Sequence, residues 1–214
     1  MVGRARSGGS FSKSRLEAFS DGVFAIAITL LILDVVVDPN NGSPLHQFLS
    51  AWPSYVGYVV SFMTIGVAWI GHSAMTDALA RVDAVLLRLN LLLLLFIVFL
   101  PFPTKLVTEA FGESDAERVA VTVFGLNLLL IRLLGLALDR YALAENLYRS
   151  GDDDELTQAR NKSASGLVLY GVAIFVGLVL PGIAVAIYFA IALYLAIPWR
   201  DVARLVRPRP TAPR

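Results

Sequence analysis

A chain of 214 residues in which 57% are hydrophobic and only 16% charged is too apolar for an ordinary soluble domain, where about a quarter of residues carry charge. The net charge of +1 excludes a bulk basic field for nucleic acid, so any electrostatic signal lies in how the charges are distributed. Cysteine is absent, which removes disulfides, thiolate metal sites and cysteine nucleophiles; His46 and His72 lack spaced partner ligands, and no metal or organic cofactor is expected.

Taken in chain order, Arg4, Arg6, Lys13 and Arg15 precede a first apolar run over 16–37. That run exceeds the roughly 7 to 15 residues of a secretory signal core, holds Asp21, and is followed by no small-residue cleavage site. It reads as a retained membrane span. A helix needs about 20 apolar residues to cross the hydrocarbon core, and further segments of this kind cover 52–76, 85–108, 116–138, 163–180 and 183–199. The last two read as a hairpin turning at Pro181-Gly182, because one helix over 163–199 would be roughly 55 Å long. The expected fold is therefore all-α, a polytopic membrane protein of six transmembrane helices. A cytoplasmic segment 1–14 precedes the helical domain 15–199, and a basic cytoplasmic tail 200–214 follows it. Pro, Asn and Gly mark 38–51 as an outer loop, and Asp152, Asp153, Asp154 and Glu155 mark a solvated connection.

The positive-inside rule tests the count independently. Arg4, Arg6, Lys13 and Arg15, then Arg81 and Arg88, then Arg140, Arg149, Arg160 and Lys162, then the tail arginines fall on one side. Lys105 and Arg118 fall on the other, and Arg132 lies within a span. Both termini are expected in the cytoplasm, with the protein multi-pass in the cell membrane, as in a bacterial plasma membrane. No phosphate loop, HExxH or GxSxG is present, so an enzyme is not expected.

The first span carries the densest text. Arg15, Phe19, Ser20 and Asp21 form RxxxFSD, which runs into GVFAIAITLLIL over 22–33 and ends at Asp34. At 100° per residue, Phe19, Gly22, Ile26, Leu30, Leu33 and Val37 share one stripe with Thr29 at its edge, while Ser20 and Asp21 point about 120 to 140° away from Ile26. Both a pore lining and ordinary helix packing use such a seam. In a pore, rings of Ile26, Leu30 and Leu33 make a hydrophobic constriction that stops ions by excluding their water.

This motif, with six spans and with Trp69 and His72 in the second, resembles the signature of the potassium channels related to lysosomal transmembrane protein 175, including their prokaryotic members. The resemblance is dense over residues 15–34 and holds elsewhere in outline. It implies a homotetramer in a lipid bilayer, selective for potassium over sodium, with the first helix lining a central pore. Ile26 would form the narrowest point, Leu30 and Leu33 the rings outward of it, and Gly22 and the Thr29 hydroxyl the lining that shapes cation preference. Potassium would pass along the axis near Ile26, Thr29 and Leu30. No TVGYG carbonyl filter exists in the chain, so selectivity rests on the resemblance.

Behind the stripe, Asp21, His72 and Asn90 each lie about five residues from the cytoplasmic end of their helix, roughly 7 to 8 Å deep. Trp69 is one turn above His72, and Arg132 is slightly deeper than this layer. Ionisable groups at such depth cost about 2.5 to 3.5 kcal/mol and find partners. The expectation is that Ser20 and Asp21 hydrogen-bond to His72, Trp69 and Asn90, with Arg15, Arg88 or Arg132 balancing Asp21. Such a layer either positions the pore helix or simply pins helices together. A Ser-His-Asp triad is disfavoured, because Ser20 and Asp21 are adjacent on a helix and diverge. Asp34, Asp38, Glu109, Glu113, Asp115 and Glu117 suggest an acidic outer mouth that concentrates cations, although a solvated loop has the same composition. Two other classes compete: a proton- or cation-coupled secondary transporter using Asp21 and His72, and a non-transporting scaffold. No small-molecule substrate and no nucleic-acid partner is indicated.

Overall fold

The structure, a computed structural model, describes residues 11–35, 42–149 and 167–196. The described residues form, in chain order, α1 (Lys13–Leu30), a 3₁₀ turn (Leu31–Asp34), α2 (Pro44–Ser50), α3 (Trp52–Ala78), α4 (Ala84–Phe99), α5 (Pro101–Glu109), α6 (Ser114–Ala144), α7 (Leu167–Gly177) and α8 (Pro181–Ala196). Among these residues, Lys13–Asp34, Trp52–Ala78, Ala84–Glu109 and Asp115–Ala144 are long and apolar enough to cross a membrane, and α7 and α8 are shorter apolar helices. The expected ends of those last two spans, 163–166 and 197–199, lie outside the described residues. So do Val37, Asp38, the acidic run at 152–155 and the basic tail.

Local chemistry explains where the elements differ from the sequence expectation. The first helix starts at Lys13, inside the segment read as its cytoplasmic leader. The outer loop contains a helix, because Ser43 caps it by accepting from the His46 N–H and Pro44 sits in its first turn, where a missing N–H is harmless. The third span is interrupted at Leu100, between α4 and α5. Pro101 offers no N–H to the turn before it, so the Leu100 N–H turns to Ile97 O at 3.2 Å and draws that turn tight. Asn127 Nδ2 on α6 then donates to Phe96 O at 3.1 Å, which ties α6 to the break. The fourth span runs past 138 to Ala144, because nothing in Asp139–Arg140–Tyr141 stops a helix that has left the bilayer. It ends where Asn146 adopts a left-handed backbone, φ 52°, and the Leu147 and Asn146 N–H groups return to Ala142 O and Leu143 O at 2.8 and 3.1 Å. That is the Schellman arrangement. The α7–α8 turn occupies 178–180 rather than Pro181-Gly182; Pro181 instead opens α8, since a first helical position tolerates its ring.

α1 packs on α3 and α4, α4 and α5 pack on α6, and α8 packs on both α3 and α6. The core runs through Leu16, Phe24, Ala27 and Leu31 of α1, Val60 and Ile65 of α3, Leu86, Leu93 and Ile97 of α4, and Val121, Phe124, Leu128 and Ile131 of α6. At the end carrying the N-terminal segment, polar contacts clasp the helices. Asp83 accepts the Val85 and Leu86 N–H groups at 3.0 and 2.8 Å and the Tyr141 hydroxyl at 2.7 Å. Lys13 Nζ and an Arg149 guanidinium nitrogen both donate to Asp77 O near the C-terminus of α3, where cations oppose the helix dipole. Burial pushes the Asp83 carboxyl up, but the Leu86 N–H, Tyr141, the Val85 N–H and nearby Arg81 outweigh it and hold it below the ordinary carboxylate value.

Two expectations follow. A Cβ built on Gly125 would overlap the buried Tyr188 hydroxyl and press on Ile174, whereas one on Gly135 meets nothing within 4 Å. Gly125→Ala should therefore cost about 1 to 3 kcal/mol through overpacking, while Gly135→Ala should be neutral or gain up to about 1 kcal/mol from helix propensity; thermal unfolding in detergent compares them. Because Asp83 is held below its unfolded value, its contribution is present above about pH 4 and is lost as pH falls through the folded value. Asp83→Asn keeps the cap yet should flatten the fall of Tm as pH drops below about 4.

Candidate functional site

α1 presents two unlike faces. Leu16, Ser20, Phe24, Ala27 and Leu31 are buried, following the period of about 3.6 that points every third or fourth residue the same way. The opposite edge, comprising Phe19, Gly22, Ile26, Thr29, Leu30 and Leu33, is exposed in the single chain. The helix tightens to 3₁₀ geometry at Leu31, where residues three apart eclipse, so Leu33 stays in line with Leu30. Thr29 Oγ1 donates to Ile26 O at 2.8 Å, so the hydroxyl keeps its oxygen lone pairs available on the exposed edge. Every residue of the stripe that the structure describes is therefore turned away from the subunit's own core.

Behind this edge the polar residues meet, in two separate groups rather than one. Asn90 Nδ2 donates to Ser20 Oγ at 3.0 Å, which turns its carbonyl oxygen toward His72; His72 Nε2 donates to it at 2.7 Å. Ser20, Asn90 and His72 are all buried, and the Phe24 ring lies against the imidazole at 5.4 Å. His72 Nδ1 is buried and meets no hydrogen-bond partner among the described residues. The second group is Asp21 with Trp69, whose Nε1 donates to Asp21 Oδ1 at 2.9 Å on the exposed side.

Of the contacts expected within this layer, Asp21 with Trp69 and Ser20 with Asn90 are present, while Asp21 makes no hydrogen bond to His72. Successive helical residues diverge by about 100°, so with Ser20 turned inward Asp21 must turn outward. None of the expected arginines forms an ion pair with Asp21 among the described residues. These hydrogen bonds involve neither Arg15 nor Arg88, and Arg132 interacts with the Tyr170 hydroxyl on α7. Sequence reasoning missed Phe24, although its position four after Ser20 places it on the same face, and it missed Tyr141 and Asn127, whose roles depend on which helix each one touches.

Several of the carboxylates expected to make an acidic mouth are locally paired. Lys105 pairs with Glu109 at 3.7 Å and both act electrostatically on Asp34. Arg118 pairs with Asp115 at 3.5 Å, and Glu117 turns inward to accept the Gly112 N–H at 3.4 Å. No group of three or more potential metal-ligating side chains occurs among the described residues.

The profile of the family described as endosomal/lysosomal potassium channel TMEM175 matches residues 15–101, the stretch that holds α1, α3 and both polar groups. A protein of Streptomyces collinus named as a potassium channel is 37% identical over 203 residues, covering 88% of this chain and 96% of its own length. The chain belongs to the TMEM175 channel family. TMEM175 proteins are ion channels rather than enzymes, and this member is an all-helical, multi-pass membrane protein of a cation-channel family. The crystal structure of a lysosomal potassium-selective channel TMEM175 homolog from Chamaesiphon minutus superposes with a TM-score of 0.78 at 34% identity, covering 86% of this chain and 96% of that one. The Gallus gallus TMEM175, named an endosomal/lysosomal proton channel, is 39% identical over 122 residues, 52% of this chain and 24% of its own.

The two polar groups should respond differently to truncation. Asn90→Ala strands the Ser20 hydroxyl and the His72 N–H in the interior and should cost about 1 to 3 kcal/mol, because buried unpaired groups carry their full desolvation penalty. Trp69→Phe leaves only an exposed carboxylate without its donor and should cost less than about 1 kcal/mol. Thermal unfolding of the purified variants in one detergent gives the order; an equal loss from both would remove the buried chain's special weight.

Proposed function

We propose that four copies of this chain assemble around the exposed edge of α1 to form a channel selective for potassium over sodium. The observation that carries the reading is the asymmetry of α1: Ile26 and Leu33 are 58% and 69% exposed while Phe24, Ala27 and Leu31, on the same helix, are at most 1% exposed. A stripe that its own subunit leaves uncovered, in register with the family motif, is what a central axis requires. Ile26 forms the narrowest ring and Leu30 and Leu33 the rings outward of it. An ion there must shed water that no polar side chain replaces, so the rings act as a barrier that dewets. Gly22 and Thr29 line the same edge, and Thr29 is the polar side chain nearest Ile26 in sequence along that edge. Potassium is the cargo along this axis.

Arg15, Phe19, Ser20, Asp21, Trp69, His72 and Asn90 act as support for α1 rather than as ligands for the ion. In this reading α7 and α8 complete six spans per subunit, both termini are cytoplasmic, and the host is a bacterial plasma membrane. The names of the Streptomyces and Chamaesiphon relatives support potassium as the cargo. The proton-coupled transporter reading would use Asp21 and His72 together, but they belong to separate hydrogen-bonded groups.

Purified protein in liposomes should give rapid, electrogenic potassium flux exceeding sodium flux, with native mass spectrometry returning four copies. Proton-coupled exchange would favour the transporter, and the absence of flux would sink the channel. If Ile26 forms the barrier, Ile26→Asn that lowers it by about 1.4 kcal/mol should raise conductance about tenfold. Unchanged conductance would place the constriction elsewhere.

A further inference from the structure

α2 carries a feature that the channel reading does not use. Within the described structure none of its residues is buried, yet Leu45, Phe48 and Leu49 are 69%, 60% and 63% exposed. Projected at 100° per residue, these three fall within an arc of about 100°, while His46, Gln47 and Ser50 fall on the opposing arc. The polar arc is occupied with local bonds: Ser43 Oγ accepts the His46 N–H, Gln47 Nε2 donates to Gly42 O, and the Ser50 hydroxyl donates to Gln47 O. The helix sequence PLHQFLS holds no Lys, Arg, Asp or Glu, so its apolar arc has no charge with which to recruit a charged partner.

We propose that α2 rests in the membrane–water boundary with Leu45, Phe48 and Leu49 inserted among the acyl chains of the adjoining leaflet. Two independent observations place the boundary there. The spanning helix α3 begins at Trp52, one residue after α2 ends at Ser50 and the Ala51 turn, so covalent geometry sets α2 at the rim of the hydrocarbon. The same level holds a cluster of aromatic rings, with Phe48 on Tyr55 at 5.4 Å and Trp52 edge-on to Phe111 at 4.8 Å. Tyr55 donates its hydroxyl to Phe48 O at 3.1 Å and so ties α2 to the first turn of α3. Aromatic side chains with a polar tip favour such interfaces, and an amphipathic helix lies in this plane with its apolar face toward the tails. A second copy of the chain is the weaker occupant: three side chains present on the order of 300 Å², against about 800 Å² per partner in a stable interface.

The chain has no cysteine, so a single introduced thiol labels without background. Nitroxides attached to Leu45→Cys, Leu49→Cys and His46→Cys, each in the full-length protein in phosphatidylcholine vesicles, are compared for collision with oxygen, which concentrates in lipid, and with a water-soluble nickel chelate. At positions 45 and 49 oxygen should exceed the chelate several-fold, and at 46 the order should reverse. Chelate exceeding oxygen at 45 and 49 would put the arc in water. Exclusion of both reagents there would put a second copy on it. Either result overturns the inference. Collision rates do not pass through ion flux, so they separate α2's lipid contact from the channel reading.

Discussion

The buried hydrogen-bonded chain from Ser20 through Asn90 to His72 is the interaction on which the geometry of α1 depends. In a bilayer, lipid tails are as apolar as leucine, so hydrophobicity alone does not choose which face of a helix meets its neighbours. A hydroxyl, an amide and an imidazole have a strong preference, because each left unpaired in hydrocarbon is costly. Once Ser20 is turned toward Asn90, the rotation of α1 follows. Phe24, Ala27 and Leu31 pack inward behind it, and Ile26, Thr29 and Leu30 are left on the free edge. Asp21, one position on, is carried round to Trp69.

Rotation about the axis is one degree of freedom, and translation along it is another. The second is held at the end of the bundle that bears Lys13. There Lys13 and Arg149 converge on one backbone carbonyl of α3, and Phe11 pairs with Val82 through a backbone bond of 3.2 Å. The segment after α6 lies against the α3–α4 turn, with Ala80 N–H to Leu147 O at 2.8 Å and Arg149 N–H to Ala78 O at 3.0 Å. The left-handed residue Asn146 makes that return possible by reversing the chain in a single step. α1, α3, α4 and α6 thus share one clasp, and a displacement of α1 along its axis would break bonds in several elements together.

Further along, the interruption before Pro101 shows how a helix break is accommodated at depth. An irregular backbone is tolerated inside a membrane protein when another group takes the freed acceptor, and Asn127 does so from α6. Beyond the break, Thr104 of α5 meets Ser61 of α3 as a buried hydroxyl pair at 2.7 Å. Together with the Ser20–Asn90–His72 chain, this places two buried polar contacts on α3, one toward each end. These, with the Trp69–Asp21 and Asn127–Phe96 bonds and close packing, join the spans.

Much of this architecture was legible in the residues. Runs of about 20 apolar positions marked the spans because only helices satisfy their own backbone in lipid. The 3.6-residue period separates the Ile26 edge from Ser20, and equal depths point to His72 and Asn90 as partners. Helix ends were less legible where a polar stretch continued as a helix in water, as at Asp139–Arg140, or where a capped turn formed in a loop, as at Ser43–Pro44. Depth and period are properties of one helix, and the sequence by itself determined them. Which helix lies beside which is a property of the packed bundle, and the tertiary structure alone decided it: that Ser20 rather than Asp21 reaches Asn90, that Arg132 belongs to Tyr170, and that Asn127 answers Pro101. Each of these pairings joins residues far apart in the chain, and a side chain's own position carries no record of the neighbour it will meet.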